Sequence, residues 1–399
     1  MNTCTASSLL VLWPSQQSEK EYFELNYALN LCKRYLRESL LSKQVNFTWC
    51  EYGLNEISAY FTHPKKYTLI VRDPLLMMSA STVIQLMQLI DLGYEAVGPS
   101  LNKSQCAAQV ASPFFPVFNI STFEELNNFY SENIRPEIID VNKLDPSCVL
   151  VSEKYIDNHF TDPNTLNSIK YNSSTDGCRF GILRNSYTFS FKDSDNYSRE
   201  DLLVLIPEGI RILLDVGCSQ GSLGVSIKKT RPEIEIEGLE LNRLLAARAS
   251  SVYDKVYVCS LEEFVCDKNY DCIICGDVLE HLFDPWTQLK SLFRILKPGG
   301  HLILSLPNAG HWTLVADLAA SKFDYLPWGI TCITHLRWFT ENSIRKALGD
   351  AGFNIVLFEC QQTEPTPAGK AFISKIVASG IGNERSLLTH GFLIKAIRG

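Results

Sequence analysis

Residues 213–224 read LLDVGCSQGSLG, an apolar run that ends in Asp215 and breaks into Gly217, Gly221 and small polar residues. A strand that stops in such a turn and opens a helix brings backbone N–H groups and the positive helix end to one point, which favours a nucleotide or another polar ligand. The spacing narrows the choice. A dinucleotide fingerprint needs three glycines, and counting from Gly217 the second and third positions are Ser219 and Ser222. A P-loop needs Gly-Lys-Ser/Thr, whereas Gly221 is followed by Ser222 and Leu223. What remains is a carboxylate at each of two neighbouring strand ends, Asp215 and, 25 positions later, Glu240. The second is placed to accept both hydroxyls of a ribose. Asp215 would repel a pyrophosphate and suits a cationic ligand that carries an amino acid.

Outward from this turn, short apolar runs alternate with helical patterns, the signature of a parallel sheet covered on both faces. Seven strands are expected, at RILLDVG, IEIEGLE, KVYVCS, YDCIICGD, HLILSLP, NIVLFEC and HGFLIKAI. Helices are expected to begin near Ser222, Asn242, Leu261, Asp284 and Thr340. Upstream lie strand signals at SLLVLWP, KYTLIVRDP, YEAVGPS and SCVLVSE, a helical TVIQLMQLIDLG, and a helix start at STFEEL with Ser121 and Glu124 as a capping box. The fold class is α/β, with a Rossmann-like seven-stranded unit over residues 180–399 and a smaller α/β domain over 1–165. The Asn-, Ser- and Thr-rich DPNTLNSIKYNSSTDGC links them.

A length of 399 residues with 46% hydrophobic content suffices for two cores. A net charge of -7 without a Lys/Arg block excludes a general nucleic-acid binder. The apolar runs fall short of the roughly 20 residues that span a bilayer, and the N-terminus lacks a basic region and cleavage site, so a cytoplasmic protein is expected. Thirteen scattered cysteines read as reduced, buried thiols. Cys272 and Cys275 have CxxC spacing, but on a strand they point to opposite faces and share no ligand. No metal is expected, and nothing in the sequence specifies an oligomeric state.

Taken in order, LLDVGCSQGSLG, GLEL, CGDVLEHLFDPW and LKPGGHLILSLPN resemble class I S-adenosylmethionine-dependent methyltransferases, especially the branch associated with glycosyltransferases. The resemblance covers roughly residues 180 to 399. It implies S-adenosyl-L-methionine as cofactor. Asp215, Gly217 and Gly221 would contact its methionine part and Glu240 its ribose. Leu241 would pack on the adenine, Ser260 and Leu261 would line the adenine pocket, and Asp277 and Val278 would close the fourth strand end. Ser219 stands where a glycine is commoner, which a negative φ would tolerate, and Ser260 where an Asp often holds the adenine amino group.

Methyl transfer from a sulfonium mainly requires that the acceptor be held in line, and a hydroxyl acceptor gains from a general base. His335, His281 and His311, in that order, are the candidates, each with a structural role as the alternative. The aromatic segment AGHWTLVADLAASKFDYLPWGITCITHLRWFT is either an acceptor wall or a small helical subdomain, and Arg337 suits an anionic acceptor group. In the first domain, KYTLIVRDP followed by a helix and GYEAVGPS resembles GT-A glycosyltransferases in outline. Its strand ends in Arg72-Asp73-Pro74 rather than D-x-D, and the only literal D-x-D, Asp193-Ser194-Asp195, reads as a surface turn. The leading expectation is O-methylation of a sugar, glycan precursor or related small metabolite. A phenol or amine methyltransferase, a bifunctional glycosyltransferase and methyltransferase, and a non-catalytic cofactor-binding scaffold are the alternatives.

Overall fold

The structure, a computed structural model, describes residues 9–14, 23–52, 65–102, 104, 109, 119–133, 137–159, 178–190 and 199–399. The chain divides into two compact units, Met1–Lys192 and Asp193–Gly399.

The first unit contains β1 (Leu9–Pro14), α1 (Phe23–Ser42), β2 (Phe47–Tyr52), β3 (Tyr67–Val71), β4 (Leu76–Met77), α2 (Ala80–Asp91), β5 (Ala96–Leu101), α3 (Ile120–Asn133), β6 (Ile138–Val141), β7 (Cys148–Ser152), α4 (Glu153–His159) and β8 (Phe180–Ser190). Its mixed sheet runs β2-β1-β3-β7-β5-β8-β4, with β6 paired to β8. The four expected strands are present as β1, β3, β5 and β7. Residue 180 does not begin the second unit: β8 pairs with β5 and β6 inside the first sheet. The capping box at Ser121 is replaced by Asn119, whose Oδ1 accepts the Thr122 N–H at 2.8 Å. Asp193-Ser194-Asp195 and nearly all of the linking segment lie outside the described residues.

The second unit contains α5 (Glu200–Leu203), β9 (Ile212–Val216), α6 (Ser222–Thr230), β10 (Glu235–Leu239), α7 (Arg243–Ala249), β11 (Lys255–Tyr257), β12 (Tyr270–Gly276), α8 (Pro285–Ile295), β13 (Leu296–Pro307), α9 (Trp312–Ala319), α10 (Glu341–Asp350), β14 (Phe353–Gln362), α11 (Pro367–Ala378), α12 (Glu384–Leu388) and β15 (Thr389–Arg398). The seven-stranded order is β11-β10-β9-β12-β13-β15-β14, and β15 runs antiparallel to both of its neighbours. The chain leaves β9 for β10 on one side and later crosses to β12 on the other, so the carboxyl end of β9 is the switch point where such sheets bind ligands.

Alternate residues of each buried strand serve different cores. Leu214, Cys275 and Leu304 pack with Leu289 and Leu292 of α8 and Ile344 and Leu348 of α10. Leu213, Cys272 and Ile303 pack with Leu202 of α5 and Leu223 and Ile227 of α6. Cys272 and Cys275 therefore face apart, as a strand period of two requires. The helix starts at Ser222, Asn242, Asp284 and Thr340 are present, three with side-chain caps. The helix expected at Leu261 is only a turn: Leu261 instead turns inward to the core of the sheet. A third cluster, Trp312, Ile373 and Leu387, joins α9, α11 and α12. Among the described residues no helix is long and apolar enough to cross a membrane.

Candidate active site

The turn after β9 is built by backbone strain and one carboxylate. Gly217 and Gly221 have φ of +72° and +94°, and a Cβ at Gly217 would lie 2.9 Å from Val278 Cγ2. Ser219 also adopts positive φ, +48°, contrary to the expectation of a negative value there. Its N–H donates to Glu240 Oε2 at 2.9 Å, which offsets the cost of a left-handed serine. Glu240 Oε1 accepts the Asn242 N–H at 2.7 Å, so the same carboxylate braces the turn and the start of α7. Each carboxylate oxygen retains a second lone pair. Leu241, beside it, is 68% exposed, an apolar side chain held in the open at the carboxyl end of β10. Ser260 is engaged locally, its Oγ accepting the Glu263 N–H at 3.2 Å.

Asp215 is only 4% exposed and accepts a 2.5 Å hydrogen bond from the Tyr253 hydroxyl. Burial pushes its carboxyl up to about 7, against the pull of Tyr253 and Arg199 and with a push from Glu240. Asp277 has φ of +55°. Its carboxylate meets Arg199 Nη1 at 2.8 Å and accepts from Ser305 Oγ at 3.0 Å, while Arg199 also grips Asp201 through two 3.1 Å bonds. Arg199, which joins these carboxylates, is a candidate that the sequence does not single out. Its signal was slight, an arginine just ahead of a short acidic helix and 16 positions before Asp215.

The three histidines differ sharply. His311 is fully buried, its Nδ1 lies 2.9 Å from Thr313 Oγ1, and burial with His390 nearby depresses its pKa to about 3. His335 is also buried, and desolvation beside His281 lowers it to about 4. Its Nδ1 lies 3.0 Å from the Ile330 carbonyl, which can only accept, so Nδ1 carries the proton and Nε2 holds the lone pair. His281 is partly exposed, and its ring meets that of His335 edge-on at 4.7 Å.

Glu280, also missed, is buried with neither carboxylate oxygen hydrogen-bonded among the described residues, and Oε1 lies 3.9 Å from His335 Nε2. Burial and Asp277 push its carboxyl well above the usual range. One ligand atom each from Glu280, His281 and His335 lie within 4.8 Å of one another, a nitrogen and oxygen set of the type that accepts a divalent cation. The sequence reading expected no metal and did not bring these three together.

The aromatic segment divides. Trp312 joins the α9–α11–α12 cluster, whereas Phe323 packs edge-on to Tyr325 at 5.1 Å and to Trp338 at 6.0 Å, all three partly open to solvent. Arg337 lies over Phe283 and Trp286 at 5.3 and 5.9 Å and donates to the Phe283 carbonyl. Phe283, 75% exposed, and Trp286 thus form an open apolar ledge beside a cation at the carboxyl end of β12.

Residues 194–357 match the family described as a methyltransferase domain. Two curated relatives are the ubiquinone biosynthesis O-methyltransferase of Proteus mirabilis, 33% identical over 154 residues (33% of this chain, 60% of the relative), and the malonyl-[acyl-carrier protein] O-methyltransferase of a Marinomonas species, 27% identical over 139 residues (33% and 51%). The chain thus spans only about half to three-fifths of the length of these relatives. A solved S-adenosylmethionine-dependent methyltransferase from Mesorhizobium loti is 21% identical, with 51% of this chain and 99% of that one covered at a TM-score of 0.36. Over residues 194–357 the second unit thus matches a methyltransferase domain, carried on the seven-stranded sheet described above. The cofactor of such domains is S-adenosyl-L-methionine. Its chemical needs fit what the strand ends offer: a pinned carboxylate with spare lone pairs at Glu240, an exposed apolar Leu241, and a glycine where a Cβ would strike Val278.

Proposed function

We propose that this chain is an S-adenosyl-L-methionine-dependent O-methyltransferase acting on a small hydroxylated acceptor, a sugar, glycan precursor or related metabolite, in a reducing aqueous compartment such as the cytoplasm. The observation that carries the reading is Glu240, one carboxylate that fixes both the glycine turn and the next helix while keeping acceptor capacity for a ribose. In this reading Gly217 and Gly221 let the backbone approach the methionine part, and the Asp215 carboxyl and Arg199 stand beside it. Leu241, Ser260 and Leu261 border the adenine, and Asp277 and Val278 close the pocket. When bound, the cofactor supplies an activated methyl group on a sulfonium, so the protein's work is orientation and proton removal.

Among the histidines, His281 is the one placed to meet an acceptor, because it is partly exposed at the carboxyl end of β12. His335 supports it edge-on from behind with Glu280. His311 acts in the fold, buried at the start of α9. The first unit serves acceptor presentation or assembly rather than sugar transfer. Asp73, at the strand end where a GT-A enzyme would hold metal, accepts the Leu75 N–H at 3.1 Å and a Ser190 hydroxyl. A second reading, a phenolic acceptor, draws support from the name of the Proteus relative and from the Phe283–Trp286 ledge.

A thermal-shift series with S-adenosylmethionine, S-adenosylhomocysteine, NAD and UDP-sugars tests the assignment, since a ligand of the native state raises its apparent stability. Stabilisation by the two sulfur nucleotides supports it, and stabilisation by NAD alone would overturn it.

A further inference from the structure

We propose that Tyr253 is a positioning residue for the cofactor turn, its single hydroxyl tying the tip of β9 to the first turn of α6. The inference rests on the reading above that this turn holds S-adenosyl-L-methionine.

Helix α6 begins after Gly221, which has no side chain to cap the helix. First-turn N–H groups need an acceptor from elsewhere. The Tyr253 hydroxyl supplies one, accepting the Gly224 N–H at 3.1 Å, and it gives its only proton to Asp215 Oδ2 at 2.5 Å. Donor and acceptor directions are therefore both fixed. Room for the phenol ring comes from glycines: a Cβ at Gly224 would lie 2.2 Å from the ring, at Gly238 3.0 Å and at Gly221 3.2 Å. Gly224 thus acquires a reason that the turn's own geometry does not give it, while Gly238 must also clear Cys218 Sγ, which a Cβ would meet at 2.6 Å.

The groups that face Asp215 come from every element around it. Tyr253 approaches from beyond α7, Arg199 from the start of α5, Glu240 from the tip of β10, Cys218 from the turn, and Cys272 and Cys275 from β12. Arg199 is the only cation in that set, and it is shared with Asp201 and Asp277. Burial raises the Asp215 carboxyl to about 7, with the Tyr253 hydrogen bond and Arg199 favouring its ionised form and Glu240 opposing it. An ionised Asp215 attracts a cationic ligand and a protonated one does not.

The test is equilibrium dialysis of labelled S-adenosylmethionine against wild type, Tyr253→Phe and Asp215→Asn, across about two pH units on either side of neutrality. Wild-type affinity should strengthen as pH rises through neutrality. Tyr253→Phe should bind roughly tenfold more weakly at neutral pH, a loss of the size of one helix cap. Its rise should also move to higher pH, a displacement that a merely structural loss would not produce. Asp215→Asn, which keeps an acceptor for the phenol but cannot ionise, should give a flat profile. A folded Tyr253→Phe protein with wild-type affinity and an unmoved rise overturns the inference, as does a rise that survives in Asp215→Asn. No uptake by wild type at any pH would instead bring down the cofactor reading, and this inference with it.

Discussion

Replacing Glu240 by Gln changes one atom and separates two roles. The carboxylate accepts the Ser219 N–H at 2.9 Å and the Asn242 N–H at 2.7 Å, and a primary amide has one oxygen for the two donors. One N–H must then face an NH₂ group. A hydrogen bond to a charged acceptor contributes about 1.5–3 kcal/mol, and the partial exposure of this site places the expected loss near the lower end, about 1–2 kcal/mol. For a unit of roughly 200 residues this lowers Tm by about 3–6 °C. The same substitution removes charge where ribose hydroxyls should bind, so cofactor affinity should fall by roughly 30- to 100-fold, about 2–3 kcal/mol. Differential scanning calorimetry reads the first effect and isothermal titration with S-adenosylmethionine the second. A lower Tm with cofactor affinity within about twofold of wild type would make Glu240 a brace and nothing more, and would refute the ribose assignment.

Ser219→Gly should raise stability by about 0.5 kcal/mol, because relief of the left-handed serine at φ +48° exceeds the extra chain entropy of glycine; a lower melting temperature would contradict this. His281→Ala and His335→Ala should each reduce turnover far more than cofactor affinity, by roughly a hundredfold or more for the base itself. In steady-state assays, unchanged turnover removes that histidine from the mechanism. His311 has a folded pKa of about 3, below its ordinary 6.5, so the unfolded chain binds the extra proton first as pH falls. Its contribution is intact above 6.5 and is lost progressively on acidification toward 3. Unfolding free energies from urea titrations of His311→Asn should therefore decline less steeply across that window, by on the order of a few kcal/mol, and an unaltered acid limb would refute the assignment.

The second unit was legible because its central strands β9, β12 and β13 are apolar runs bounded by turn residues, and all seven strands are found where they were expected. The first unit was half legible. Its edge strand β2 is only partly buried, and in β8 the buried start Phe180–Leu183 is followed by Arg184, Asn185 and Ser186, which break the apolar run. At the site, Asp215 and Glu240 announced themselves by their position at strand ends. Their partners did not. Tyr253 reaches Asp215 from 38 positions away, and Arg199 reaches Ser305 from 106. Ser219 was misjudged because the energy that holds it at positive φ lies in a carboxylate 21 positions on. Glu280 was overlooked beside His281 because only the packed structure leaves its oxygens buried opposite His335.

The placement of β15 between β13 and β14 sets an order of events during synthesis. Among the described strands β14 pairs with β15 alone, so it has no strand to pair with when it leaves the ribosome and must wait for a segment translated 27 residues after its own last residue, Gln362. Until then β13 presents an open edge able to recruit a stray strand. A nascent chain stalled between Gln362 and Thr389 should accordingly carry β11 through β13 already paired, on a domain that is still open to aggregation.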